Sequence, residues 1–142
     1  HEPVTHVRLN IFPDGGVARL RLFGIARPDW SDLPPDEQIE LSAVGSGGRV
    51  IAYADAHYGD PWVILTPGRG VNMGDGWETR RRRTPGNDWI VIELGHKGMI
   101  DSFEVDTAHF KGNYPAGCSV DGYFGNAGDR WYDMRGPRAH WE

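Results

Sequence analysis

Alternating apolar and polar residues mark two short strands near the start of the chain. Residues 4–12 and 17–23 each place apolar side chains at every second position, with arginine, histidine or asparagine between them. A period of two is typical of a half-buried strand. The intervening Pro-Asp-Gly-Gly at residues 13–16 combines a fixed proline φ with glycine freedom, as tight turns require. The pattern predicts a β-hairpin over residues 4–23.

Further short apolar segments follow, separated by glycine and proline. The pattern predicts strands over residues 49–54, 89–94, 100–107 and 119–124, and it leaves residues 39–44 open between a short helix and a strand. Residues 52–58 fit a helical turn, and residues 63–65 form a short apolar run. Because the strands are short and turn residues separate them, we expect an all-β protein with its chemistry on loops.

Residues 24–37 break this periodicity. Three prolines and four acidic residues fall within them, which predicts a linker or long surface loop. Trp30 is the large apolar side chain there, and we expect it to pack and fix the loop in place.

Net charge, apolar runs and cysteine content indicate which partners and which cellular compartment to expect. The net charge of −5 disfavours nucleic acid, and no apolar run is long enough to span a bilayer. The chain does not open with a signal peptide pattern. One cysteine, Cys118, excludes an intramolecular disulfide framework and fits a reducing compartment, so we expect a cytoplasmic location. Cys118 itself is best interpreted as a small buried apolar residue.

The most unusual stretch is GRGVNMGDGWETRRRR at residues 68–83, in which four glycines and five arginines occupy sixteen positions. Its glycines permit tight turns, and its guanidinium groups suit a carboxylate or phosphate. One interpretation is a small-anion site in which Arg69, or one of residues 80–83, binds a carboxylate. The other is a tight loop whose arginines are solvated or paired with Asp75, Glu78 and Asp88.

A second candidate cluster lies at residues 106–113. It offers a carboxylate at Asp106, an imidazole at His109, an ammonium at Lys111 and an amide at Asn113. It could be a strand end stabilised by turn hydrogen bonds, or an acid–base cluster in which the carboxylate orients the imidazole. The six histidines show no metal-binding spacing, so the sequence indicates no metal site.

Three long stretches resemble the allantoicase (allantoate amidinohydrolase) family: THVRLNIFPDGGVARLRLFG, GRGVNMGDGWETRRRR and EVDTAHFKGNYPAGCSV. The resemblance implies a jelly-roll β-sandwich like that of galactose-binding domains. It also implies a division into a closing hairpin of a preceding repeat, a linker, and an allantoicase-type repeat, at residues 1–24, 25–38 and 39–142. The hairpin would then complete a sandwich, either its own or that of another copy.

The resemblance implies hydrolysis of allantoate to ureidoglycolate and urea. This reaction needs a cation for the carboxylate, an acid for the departing nitrogen and a base for water. We expect Arg69, together with Arg80 or Arg82, to bind the carboxylate, and Lys111 and Asn113 to bind ureido oxygens. His109, Asp106 and Glu78 would transfer protons, while Asp75 and Trp77 would shape the loop.

Partners and cofactors follow from the same resemblance. We expect allantoate as the small-molecule partner, neither nucleic acid nor a membrane, and a homo-oligomeric assembly. A divalent cation is compatible with the family, although no ligand set in the sequence indicates one. The alternative function is a catalytically inactive ligand-binding module of the galactose-binding type.

Overall fold

The computed structural model describes residues 4, 6–24 and 29–125. Within them lie one antiparallel sheet of two strands, β1 (Arg49–Tyr53) and β2 (Ile90–Glu93), and three short 3-10 turns. The turns are Val44–Ser46, Pro61–Leu65 and Met73–Asp75. No α-helix occurs in this described part, in agreement with the all-β class. Among the same residues, no helix is long and apolar enough to cross a membrane.

The two strands confirm the predictions over residues 49–54 and 89–94. Their register pairs Arg49 with Glu93 and Tyr53 with Ile90, and it shifts between Val50 and Ala52, so that the sheet contains a bulge. Bulges bend a strand and increase its twist. The ion pair between Arg49 and Glu93 joins directly opposed positions.

The most deeply buried apolar side chains of the described chain lie where β1 meets the turn Pro61–Leu65. Leu65 is 2% exposed and Ala52 is 7% exposed. Asp60 caps this turn by accepting a hydrogen bond from the Trp62 amide, and Pro61 supplies a preset φ at its first position. The apolar run at residues 63–65 therefore forms a 3-10 turn packed on the sheet.

Residues 41–48 form turns that pack closely against the end of β2. The Gly95 amide donates a hydrogen bond to the Leu41 carbonyl at 3.3 Å. A Cβ atom on Gly95 would lie 1.8 Å from the Ser46 carbonyl oxygen, so glycine permits this approach. The expected helix or strand over residues 39–44 is wrong, because turns and a 3-10 segment replace it.

Trp30 fixes the proline-rich loop as expected. Its ring packs edge-on against the His96 ring, just after β2, with the centroids 4.1 Å apart. Farther along, the Gln38 side chain contacts the Asp101 carboxylate at 3.5 Å. The described residues 29–38 thus contact the chain that follows β2.

Several predicted elements are not formed. Residues 6–24 contain no strand, although their alternation predicted a hairpin, and every residue among them is exposed. Residues 100–107 and 119–124 are also without strand structure, and residues 52–58 form no helical turn. Cys118 is exposed rather than buried. A strand needs a partner for its backbone groups, and alternation alone supplies none.

The exposed hairpin segment has a consequence for the expected sandwich. Val7, Leu9 and Ile11, the side chains expected to face inward, are 58%, 51% and 42% exposed. Residues 6–24 therefore do not complete the sheet of their own chain. Completion of a second copy's sheet stays a prediction.

Candidate functional site

Internal hydrogen bonds fold the glycine-rich loop at residues 68–78. The Asn72 side chain accepts from the Gly74 amide at 2.8 Å and caps the 3-10 turn Met73–Asp75. The Asp75 carboxylate accepts from the Val71 amide at 2.9 Å. Asp75 therefore shapes the loop, as expected, and does not pair with an arginine there.

The end of this loop is held by residues 55–58. The Trp77 indole donates to the Asp55 carbonyl at 2.8 Å, which confirms a structural role for Trp77. The Glu78 carbonyl accepts from the amides of His57 and Tyr58, at 2.9 and 3.3 Å. The Glu78 backbone is thus fixed, while its side chain remains available for other contacts.

Residues 106–113 form a compact double turn. The Asp106 carboxylate accepts from the Ala108 amide at 2.8 Å, which closes an Asx turn. The Phe110 amide donates to the Thr107 carbonyl, and the Asn113 amide to the Phe110 carbonyl. His109 adopts a φ of 69°, in the left-handed region that non-glycine residues seldom occupy.

The two loops meet, although some thirty to forty residues separate them in the sequence. The His109 Nε2 lies 2.8 Å from the Gly70 carbonyl oxygen, and the Asn113 amide donates to Glu78 Oε1 at 2.9 Å. The Arg69 guanidinium lies 3.9 Å from the Asp106 carboxylate. We call the residues joined here, His109, Asp106, Glu78, Arg69 and Asn113, the two-loop cluster.

An aromatic side chain fills the space between the loops. The Phe110 ring lies over Gly76, where an added Cβ would come within 2.5 Å of the ring. Glycine at position 76 therefore allows the ring to sit against the backbone. This contact supports the polar ones on either side of it.

The contact of His109 determines which of its nitrogens carries the proton. A carbonyl oxygen only accepts hydrogen bonds, so the Nε2 atom that faces Gly70 is the donor. In the neutral imidazole the other nitrogen, Nδ1, then holds the free lone pair. His109 is exposed, so solvent and a small molecule can reach the side chain that carries Nδ1.

Arg80 and Arg82 are engaged outside the two-loop cluster. The Arg80 amide donates to the Asp55 carboxylate at 2.7 Å, and its guanidinium lies 3.8 Å from the same group. The Arg82 side chain donates to Asp88, and this hydrogen bond lowers the pKa of the Asp88 carboxyl group. Arg80 and Arg82 therefore both pair with acidic residues, as in the second interpretation of this loop. Lys111 is exposed on the second loop.

Sequence reasoning missed two residues of this region. Asp55 holds both Trp77 and Arg80, but it lay in a stretch interpreted as a helical turn, and no periodic signal marked it. Phe110 lay within the second cluster, but its apolar side chain suggested no polar chemistry. Among the described residues, no group of three or more histidine, cysteine, aspartate or glutamate side chains is placed to hold a metal ion.

Comparison with known proteins places these loops in a family context. A family model described as the allantoicase repeat matches residues 1–27 and 39–142. A probable allantoicase of Pseudomonas fluorescens strain Pf-5 is 59% identical over 128 residues, which are 90% of this chain and 39% of that protein. One from Pseudomonas syringae pv. syringae is 63% identical over 118 residues, 83% of this chain and 36% of that protein.

The chain thus spans about two fifths of the length of these curated relatives. Among solved structures, allantoicase from Saccharomyces cerevisiae is 49% identical, with a TM-score of 0.40. That likeness covers 41% of this chain and 19% of the yeast protein.

Proposed function

The chain belongs to the allantoicase family, and from this membership we propose that the protein hydrolyses allantoate to ureidoglycolate and urea. The observation that carries the proposal is the convergence of the two family-matched loops into the two-loop cluster. This cluster combines a cation, an imidazole and two carboxylates within one small region. These are the groups that the reaction requires.

We propose Arg69 as the group that binds the substrate carboxylate. Its guanidinium lies 3.7 Å from Glu104 and 3.9 Å from Asp106, distances beyond a normal hydrogen bond, and its side chain is 75% exposed. The arginine is therefore oriented by two carboxylates without being saturated by either. An incoming carboxylate can accept two parallel N–H groups from it.

Arg80 and Arg82 take a different role in this proposal. Each already has an aspartate partner, so they hold the arginine run in place next to the site. Asn113 donates to Glu78 and would orient that carboxylate, while exposed Lys111 is the remaining donor for a ureido oxygen.

The proposed chemistry uses His109 as a proton shuttle. The protonated imidazole gives a proton to one ureido nitrogen as its bond to the central carbon breaks, and urea leaves. The lone pair of the second ureido nitrogen forms a C=N bond to the same carbon. Water then adds to this carbon, and its proton returns to His109 Nδ1.

The architecture of the whole protein is also proposed. We infer a jelly-roll sandwich divided at residues 1–24, 25–38 and 39–142, and the interruption of the family match between residues 27 and 39 supports the linker. A single cysteine supports a cytoplasmic location. The exposed apolar face of residues 6–24 supports association between copies.

Urea release from allantoate tests the proposal. The assay uses the purified chain and a chimera in which this chain replaces the matching 128 residues of the Pseudomonas fluorescens relative. We expect the chimera to release urea. Arg69→Gln in the same chimera should raise KM by about 10- to 100-fold, because it removes a charge-assisted hydrogen bond worth about 1.5–3 kcal/mol. A folded chimera without urea release, beside an active parent protein, would contradict the proposal and favour a binding module.

A further inference from the structure

Asp55 contacts the strand-like segment at residues 77–80 through both its backbone and its side chain. Its carbonyl accepts the Trp77 indole N–H at 2.8 Å. Its carboxylate accepts the Arg80 amide at 2.7 Å. The two contacts lie on either side of Glu78 in the sequence, one residue before it and two after it.

The residues after Asp55 hold Glu78 directly. The amides of His57 and Tyr58 both donate to the Glu78 carbonyl, and Tyr58 and Glu78 form an isolated antiparallel bridge. Four hydrogen bonds therefore connect residues 55–58 with residues 77–80. Asp55 accepts two of these four hydrogen bonds, one with its backbone carbonyl and one with its carboxylate.

The ion pair between Asp55 and Arg80 is a minor part of this connection. The guanidinium lies 3.8 Å from Oδ1, and the Arg80 side chain is 71% exposed. Exposed pairs of this kind contribute little, because water screens them and the side chains lose freedom. The backbone contact at 2.7 Å is shorter and fixes the main chain. The acceptor oxygen matters here more than the negative charge.

We propose that Asp55 is a positioning residue, which fixes the backbone at residues 77–80 so that the Glu78 carboxylate faces Asn113 and the His109 loop. This inference rests on the proposed function for its catalytic consequence. The Glu78 side chain reaches the second loop through the Asn113 amide at 2.9 Å. A shift of its backbone by about 1 Å would displace that contact, and shifts of this size can lower turnover about 10²-fold.

Hydrogen exchange tests the positioning without any need for activity. In the 142-residue chain, Asp55→Ala should accelerate exchange of the Arg80, His57 and Tyr58 amides. Asp55→Asn keeps an acceptor oxygen and should leave all three slow. Asp88→Ala, which breaks the other arginine–aspartate pair of this run, is the matched control and should leave them slow as well. Unchanged exchange in Asp55→Ala overturns the proposal.

Kinetics in the urea-release assay test the catalytic consequence. Asp55→Ala should lower kcat by about 10²-fold with little change in KM. Asp55→Asn should keep kcat within a few-fold of the parent value. Equal losses in both variants would show that the charge itself acts, which contradicts positioning. Faster exchange with an unchanged kcat would show that Asp55 fixes the backbone without affecting turnover, which contradicts the catalytic consequence. Absence of urea release by the folded chimera without the Asp55 substitutions refutes the proposed function instead, and the exchange result still decides the positioning.

Discussion

His109 combines an uncommon backbone conformation with the imidazole of the two-loop cluster. Its φ of 69° lies in the left-handed region, which costs an L-residue about 1–2 kcal/mol. Its Nε2 donates to the Gly70 carbonyl at 2.8 Å, so the strained turn delivers the side chain to the opposite loop. Strained residues of this kind concentrate at functional sites, because surrounding contacts hold them there.

Two substitutions at His109 distinguish the effect of its backbone conformation on stability from the effect of its imidazole on turnover. Asparagine tolerates the left-handed region, so His109→Asn should fold with nearly unchanged stability. Its kcat should fall about 10²- to 10⁴-fold, because it lacks the imidazole that we propose as the proton shuttle. His109→Ala should lose the same activity and also about 1 kcal/mol of stability. Urea release and guanidinium denaturation measure the two effects. Full turnover by a folded His109→Asn variant would refute the acid–base assignment.

At the scale of elements, the sheet and the turn Pro61–Leu65 form one packed unit. Leu65 is 2% exposed, while its neighbour Ile64 in the same turn is 40% exposed. The two side chains are similar in size and differ mainly in burial. They therefore make a matched pair for testing where the core lies.

Leu65→Ala should lower the free energy of unfolding by about 2–5 kcal/mol, because it removes a buried side chain and leaves a cavity. Ile64→Ala should lower it by about 1 kcal/mol or less, since that side chain is already partly in water. Guanidinium denaturation of the chain measures both. Equal losses would contradict the burial of Leu65 between the turn and the sheet.

The elements also show how far alternation predicts structure. β1 and β2 formed as predicted because each supplies the other with backbone partners. Residues 6–24 and 100–107 have the same alternation, yet remain outside any strand. Alternation specifies which side of a strand can be buried, but it does not specify which segment covers that side.

In the molecule as a whole, the candidate site is formed by two loops that are distant in sequence. The residue types at 68–83 and 106–113 could be selected from composition and family resemblance. Their contacts through Gly70, Glu78 and Asn113 could not, because pairing between distant loops depends on the fold between them. The arginines illustrate this difference. Arg69 joins the cluster, whereas Arg82 pairs with Asp88, which is not part of it.

In the proposed reaction, water attacks the central carbon of allantoate and urea departs intact. The most direct test runs the chimera reaction in H₂¹⁸O and analyses early products by mass spectrometry. We predict one urea per ureidoglycolate, with ¹⁸O in the hydroxyl group of ureidoglycolate and none in urea. Release of ammonia and carbon dioxide in place of urea, or ¹⁸O within the urea itself, would contradict attack of water at the central carbon.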